Sequence, residues 1–142
     1  MRTYFLTFLL SFFVALPLAA QPKHEIRATW LTVLGGMDWP QQKATSTEGI
    51  RKQKQELCDI LDRLKEANFN TVLLQTRVRG NLIYPSSIET FPEALAGKTG
   101  RNPGYDPLAF AIEECHKRGM ELHAWIVAIP VGNVRQVRLL GK

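Results

Sequence analysis

Apolar residues fall into two periodicities along the chain. Val72, Leu73 and Leu74 form an unbroken run that turns polar midway, with Gln75, Arg77 and Arg79 following at every second position. An uninterrupted run of β-formers marks a strand covered on both faces, and a period of two projects Gln75, Arg77 and Arg79 from one face of a continuing strand. Ile26 to Leu34 is a second β-branched, apolar stretch, closed by Gly35 and Gly36. Glu121 to Ile129 is the third, in which Leu122, Ala124 and Ile126 share one face while His123 and Trp125 share the other.

Between these stretches the period is helical. Ile50, Leu57, Ile60, Leu61 and Leu64 draw one stripe over a segment that Ser46 or Thr47 caps and that runs to about Ala67, where Asn68 takes a left-handed stop and Phe69 follows as its apolar contact. Asp106 and Pro107 read as an N-cap followed by proline at the first helical position. Leu108, Ala111, Ile112 and Cys115 form the buried stripe, and Gly119 closes the helix behind His116, Lys117 and Arg118. His116 is a partner of the helix dipole in this reading. Arg79 to Tyr105 is far longer than an ordinary strand-to-helix connection, and Tyr84, Phe91 and Tyr105 among its glycines and prolines predict an ordered loop packed over the site.

The order strand, helix, strand, helix, strand predicts an α/β fold built on a parallel βαβαβ segment. LGGMDW at the first turn is not a dinucleotide-binding glycine pattern, and no phosphate-binding loop, GxSxG elbow or HExxH occurs. The better match is the first part of a (β/α)8 TIM-type barrel, incomplete, because a whole barrel of that kind takes about 200 residues or more. Such folds bind at the carboxyl ends of their strands, where Gln75, Arg77, Arg79, His123 and Trp125 would stand. Asp38 and Trp39 follow the first strand on that side. Trp39 reads equally as a sugar-stacking platform or as a ring tucked over the strand end.

Residues 1–20 carry Arg2, then an apolar run from Tyr4 to Leu16, then small residues, the pattern of a cleaved signal peptide. Residues 21–25 are a linker and 26–142 the barrel segment. The expected location is therefore exported, periplasmic or extracellular, with no membrane association beyond the signal. The formal net charge of +5 is dispersed among acids along the helices, which favours solvated helix faces over a nucleic-acid surface, so no nucleic-acid partner is expected. Cys58 and Cys115 fall inside helices and read as two buried free thiols; no cysteine or histidine cluster has metal spacing, so neither a metal nor any other cofactor is expected. Residues 134–142 could begin another helix.

From Ile26 to Pro130 the chain resembles the amino-terminal part of the glycosyl hydrolase-like family 10 domain of exported bacterial proteins. The resemblance rests on RATWL in the first strand, on Gln75 to Tyr84, on the run from Pro103 to Trp125, and on the loop between those blocks. It implies a (β/α)8 barrel, a glycosidase activity and a carbohydrate substrate, and it matches Arg77, Arg79, Tyr84, His123 and Trp125 to motif positions at the strand ends. This chain departs from the family pattern at Asn81, where members often carry aspartate, and at Ile126 to Ile129, where members often carry Asn-Pro-Tyr-Arg.

Glycoside hydrolysis usually needs two carboxylates about 5 to 9.5 Å apart. Glu56, Asp59, Asp62, Glu66, Glu113 and Glu114 are expected on helix surfaces, Asp106 is a cap, and Glu121 starts a strand at the far end. Only Asp38, Glu89 and Glu93 lie in loops on the ligand side, and none ends a strand. The catalytic pair is therefore expected to be missing from this segment, and Arg77→Ala is expected to lower turnover or binding with the fold intact. The alternative is a non-catalytic truncated segment with at most a weak glycan-binding or partner-binding role.

Overall fold

The computed structural model describes residues 25–129. The expected signal peptide and the expected helix at 134–142 lie outside these residues. Strand β1 is Ala28–Leu31, helix α1 Thr47–Glu66, β2 Thr71–Val78, β3 Asn81–Leu82, α2 Glu93–Ala96, α3 Pro107–Lys117 and β4 Glu121–Ile126. β2 is the centre of a mixed four-stranded sheet. It pairs parallel with β1 on one side and with β4 on the other, and antiparallel with the short β3 at its carboxyl end.

Both long helices begin and end where the local chemistry dictates. The Ser46 hydroxyl accepts the Gly49 N–H at 3.1 Å, and Asp106 Oδ1 accepts Leu108 and Ala109 N–H at 3.0 Å each; such caps are each worth about 1 kcal/mol. At the other ends, Asn68 (φ 62°) and Gly119 (φ 65°) are left-handed. Phe69 N donates to Leu64 O and Asn68 N to Lys65 O, while Met120 N donates to Cys115 O and Gly119 N to His116 O. This paired bonding satisfies the last helical carbonyls.

Leu57 and Leu61 of α1 and Ala111 and Cys115 of α3 pack with Leu31, Val72, Leu74 and Met120 into one core. The register places Thr29 beside Val72 beside Leu122, and Leu31 beside Leu74 beside Ala124, so these residues share one face, which the core covers at Leu31, Val72, Leu74 and Leu122 while Ala124 is exposed. The opposite face carries Trp30, Leu73, Gln75, His123 and Trp125. Trp30 is 59% exposed and His123 is exposed; among the described residues no helix covers them.

Three expectations change. β1 ends at Leu31 rather than Leu34, because Leu34–Gly36 winds into a 3-10 turn with Gly35 at φ 65° and Gly36 at φ 73°. β4 stops at Ile126 rather than Ile129. The connection after Arg79 contains β3 and α2, and Ile83, Phe91 and Leu95 enter the core from it.

Candidate functional site

A cavity of about 520 Å³ opens at the carboxyl ends of the parallel strands. It is lined by Trp30, Thr32, Leu34, Met37, Asp38, Gln75, Val78, Arg79, Trp125 and Val127. Trp30 and Trp125 face each other over β2, edge to face, with centroids 4.9 Å apart and planes at 84°. Such a pair is worth about 0.5–1.5 kcal/mol beyond its buried area and leaves a ring face free to take an apolar or sugar surface.

The wall around Trp30 is built by one side chain. Gln75 is 3% exposed, and its Oε1 accepts from Thr32 Oγ1 at 2.8 Å, Val33 N at 3.1 Å and Leu34 N at 2.9 Å. These bonds bend the chain out of β1 into the 3-10 turn. Asp38 Oδ2 accepts Thr32 N at 2.8 Å and closes the same turn from outside. The carbonyl end of Gln75 is thus occupied by the protein itself.

Arg77 departs from the sequence expectation. The ladder between β2 and β4 shifts register between Gln75 and Arg77, which takes Thr76 out of the pairing and breaks the alternation. Val78, not Arg77, lines the cavity. The Arg77 guanidinium pairs with Glu89 in the loop after β3 and donates to the carbonyls of Val127 and Ala128. Gln75, Arg77 and Arg79 therefore do not project from one face as a regular strand would require.

Arg79 and Gly80 form the two-residue turn of the β2–β3 hairpin, at φ 54° and 72°. Two left-handed residues suit this turn, a geometry that favours asparagine or glycine. Arg79 lines the 520 Å³ cavity and also a neighbouring one of about 460 Å³, together with Lys43, Asn81 and Glu93. His123 sits lower on the same sheet face as Trp125, with its Nε2 3.2 Å from Glu121 Oε2. Tyr84 is half-buried in the loop after β3 and lines neither cavity.

Trp39 is fully buried, and its indole N–H donates to Gln53 O at 3.0 Å, so the tucked reading holds. Gln53, also fully buried, donates to Gln42 O and Leu95 O and accepts the Tyr105 hydroxyl at 2.6 Å, tying two loop segments and α2 to α1. Burial pushes the Tyr105 phenol well above its usual range. Glu114 is not on a helix surface: it is buried between α1 and α3 against Lys117, Arg118 and Cys58. The Cys58 thiol is half-buried and Cys115 buried; both are free, and burial raises both, Cys115 to about 11.

Trp30 and Val78 were missed by sequence reasoning. Their signal is tertiary, since Trp30 meets Trp125 only through the register of two strand pairs, and Val78 faces the cavity only through the bulge. A larger cavity of about 600 Å³ runs along the free flank of β1 against α1, lined by Glu56, Asp59 and Arg63. There Glu56 accepts Gln41 N at 2.9 Å and Gln42 N at 3.2 Å, and the cavity lies beside the strands rather than at their carboxyl ends, so it is the weaker candidate. Among the described residues no group of histidine, cysteine or acidic side chains is arranged to hold a metal.

The family described as Glycosyl hydrolase-like 10 matches residues 25–137. Glycosyl hydrolase YngK of Bacillus subtilis (strain 168) is 40% identical over 117 residues, covering 81% of this chain and 22% of the relative. Glycosyl hydrolase DigH of Escherichia coli (strain K12) is 39% identical over 109 residues, covering 74% of this chain and 25% of the relative. The chain thus spans about a quarter of the length of these curated relatives.

Proposed function

Because the chain belongs to the glycosyl hydrolase-like 10 family, we propose that it forms the opening part of an exported (β/α)8 glycosidase barrel and one wall of its carbohydrate cleft. Three parallel strands lying side by side in chain order, with α1 and α3 on one face, support the barrel. The apolar run of residues 4–16 supports export.

The observation that carries the cleft is the Trp30–Trp125 pair standing over Gln75 at the strands' carboxyl ends, with Asp38 and Arg79 at its rim. An aromatic face flanked by a few polar groups is suited to a pyranose, whose C–H face stacks while its hydroxyls take hydrogen bonds. Arg77 in this reading shapes the site from behind, and His123 orients a neighbour lower on the sheet.

The catalytic carboxylates would come from outside residues 25–129. Asp38 and Glu89 support this, since the one closes a turn and the other is paired with Arg77. The same engagement is what favours the second reading, a non-catalytic glycan-binding segment.

A glycan array probed with the full chain and with Trp125→Ala tests the cleft, and release of new reducing ends from the bound sugars separates the two readings. Sugar binding lost in Trp125→Ala is the expected result. Binding that survives the substitution, or no binding by the wild-type chain, would overturn the cleft; binding without hydrolysis would leave the non-catalytic reading standing.

A further inference from the structure

Arg79 is anomalous in three respects. Its backbone takes the left-handed conformation at φ 54°, in the half of a two-residue hairpin turn where glycine or asparagine is the favoured residue. Among the described residues no hydrogen bond or ion pair holds its guanidinium, whereas Arg77, two positions away, is engaged by one carboxylate and two carbonyls. It also forms part of the wall shared by the aromatic cavity of about 520 Å³ and the neighbouring cavity of about 460 Å³.

The neighbouring cavity has a different character. Lys43 lines it with Arg79, and among the described residues no hydrogen bond or ion pair holds the Lys43 ammonium either; Glu93, at the start of α2, is its one acid. Two cations against one carboxylate leave a net positive chamber beside an aromatic one. A residue set in a costly backbone conformation, with its charged head left to solvent between two cavities, is placed for a ligand rather than for the fold.

We propose that Arg79 reads a carboxylate borne by the bound glycan, with Lys43 reinforcing the field, so that the ligand is an acidic oligosaccharide with one sugar against Trp30 and Trp125 and its acid at the hairpin turn. The planar guanidinium meets a carboxylate through two parallel hydrogen bonds, which a lysine at the same place does not reproduce. This inference rests on the carbohydrate reading of the cleft and adds the charge class of the sugar.

The test is a glycan array carrying neutral oligosaccharides beside their uronic-acid counterparts, read with the full chain and with Arg79→Gly and Arg79→Lys. The wild type is expected to prefer the acidic members. Arg79→Gly should lose about tenfold or more in affinity for them, a clearly larger loss than on any neutral sugar bound, and unfold at an equal or higher temperature because glycine relieves the turn. Arg79→Lys should fall between. A wild-type preference for neutral sugars, or an equal change on both classes in Arg79→Gly, would overturn the proposal while leaving the carbohydrate cleft intact. Absence of binding to every sugar would overturn both.

Discussion

Arg77 grips Glu89 with two guanidinium nitrogens, Nε lying 2.8 Å from Oε2 and Nη2 resting against Oε1, while Nη1 donates to Val127 O at 2.8 Å and Ala128 O at 2.9 Å. One side chain thereby joins the end of β2, the loop behind β3 and the segment leaving β4. Both charged side chains are about four-fifths withdrawn from solvent, at 19% and 21% exposure.

Arg77→Ala strands the Glu89 carboxylate and two carbonyls, so it is expected to lower the unfolding midpoint. Urea unfolding of the two proteins measures this directly. An unchanged midpoint with lost sugar binding would instead return Arg77 to a direct role in the cleft.

Gln75 permits a cleaner separation. Gln75→Leu leaves the Thr32 hydroxyl and the Val33 N–H without their acceptor and the Leu34 N–H with only its longer bond to Thr32 Oγ1, at about 1–3 kcal/mol. Gln75→Glu keeps an acceptor oxygen for all three, so its unfolding midpoint at neutral pH should lie well above that of Gln75→Leu. Equal midpoints for the two variants would show that the three bonds do not hold the turn.

How far the sequence reached follows from the range of each interaction. The Ser46 and Asp106 caps and the left-handed stops at Asn68 and Gly119 were legible because each is settled within a few residues. The three parallel strands were legible from apolar runs and their bounding glycines. The direction of Arg77 was not, because the bulge that turns it depends on how β2 meets β4, about 50 residues later. Glu114 looked like a surface acid because its burial requires α1 and α3 to pack together. For the same reason the fate of Trp39 stayed open until Gln53 supplied its acceptor.

The buried Glu114 also sets an acid limit on stability. Hydrogen bonds from Lys117, at 2.8 Å, and from Arg118, at 2.6 Å, pull its carboxyl down from an ordinary 4.5 to about 2. A carboxyl lowered in the folded state contributes stability that is fully present above its unfolded value and is lost as pH falls through the folded one. The loss should therefore run from about pH 4.5 down to about pH 2. Because Lys117 is half-exposed and screened, the contribution is discounted to about 1–2 kcal/mol. Thermal melts of wild type and Glu114→Gln across that range should converge toward the acid end; parallel curves would assign the acid sensitivity to another group.

The most direct test of the cleft itself is amide hydrogen exchange on the full chain, with and without an oligosaccharide selected on the array. The expected protection falls on three separate stretches, residues 30–38, 75–80 and 125–128, which meet only at the carboxyl ends of the parallel strands. Protection confined to the flank between β1 and α1, or spread over α1 and α3, would contradict the placement of the carbohydrate site.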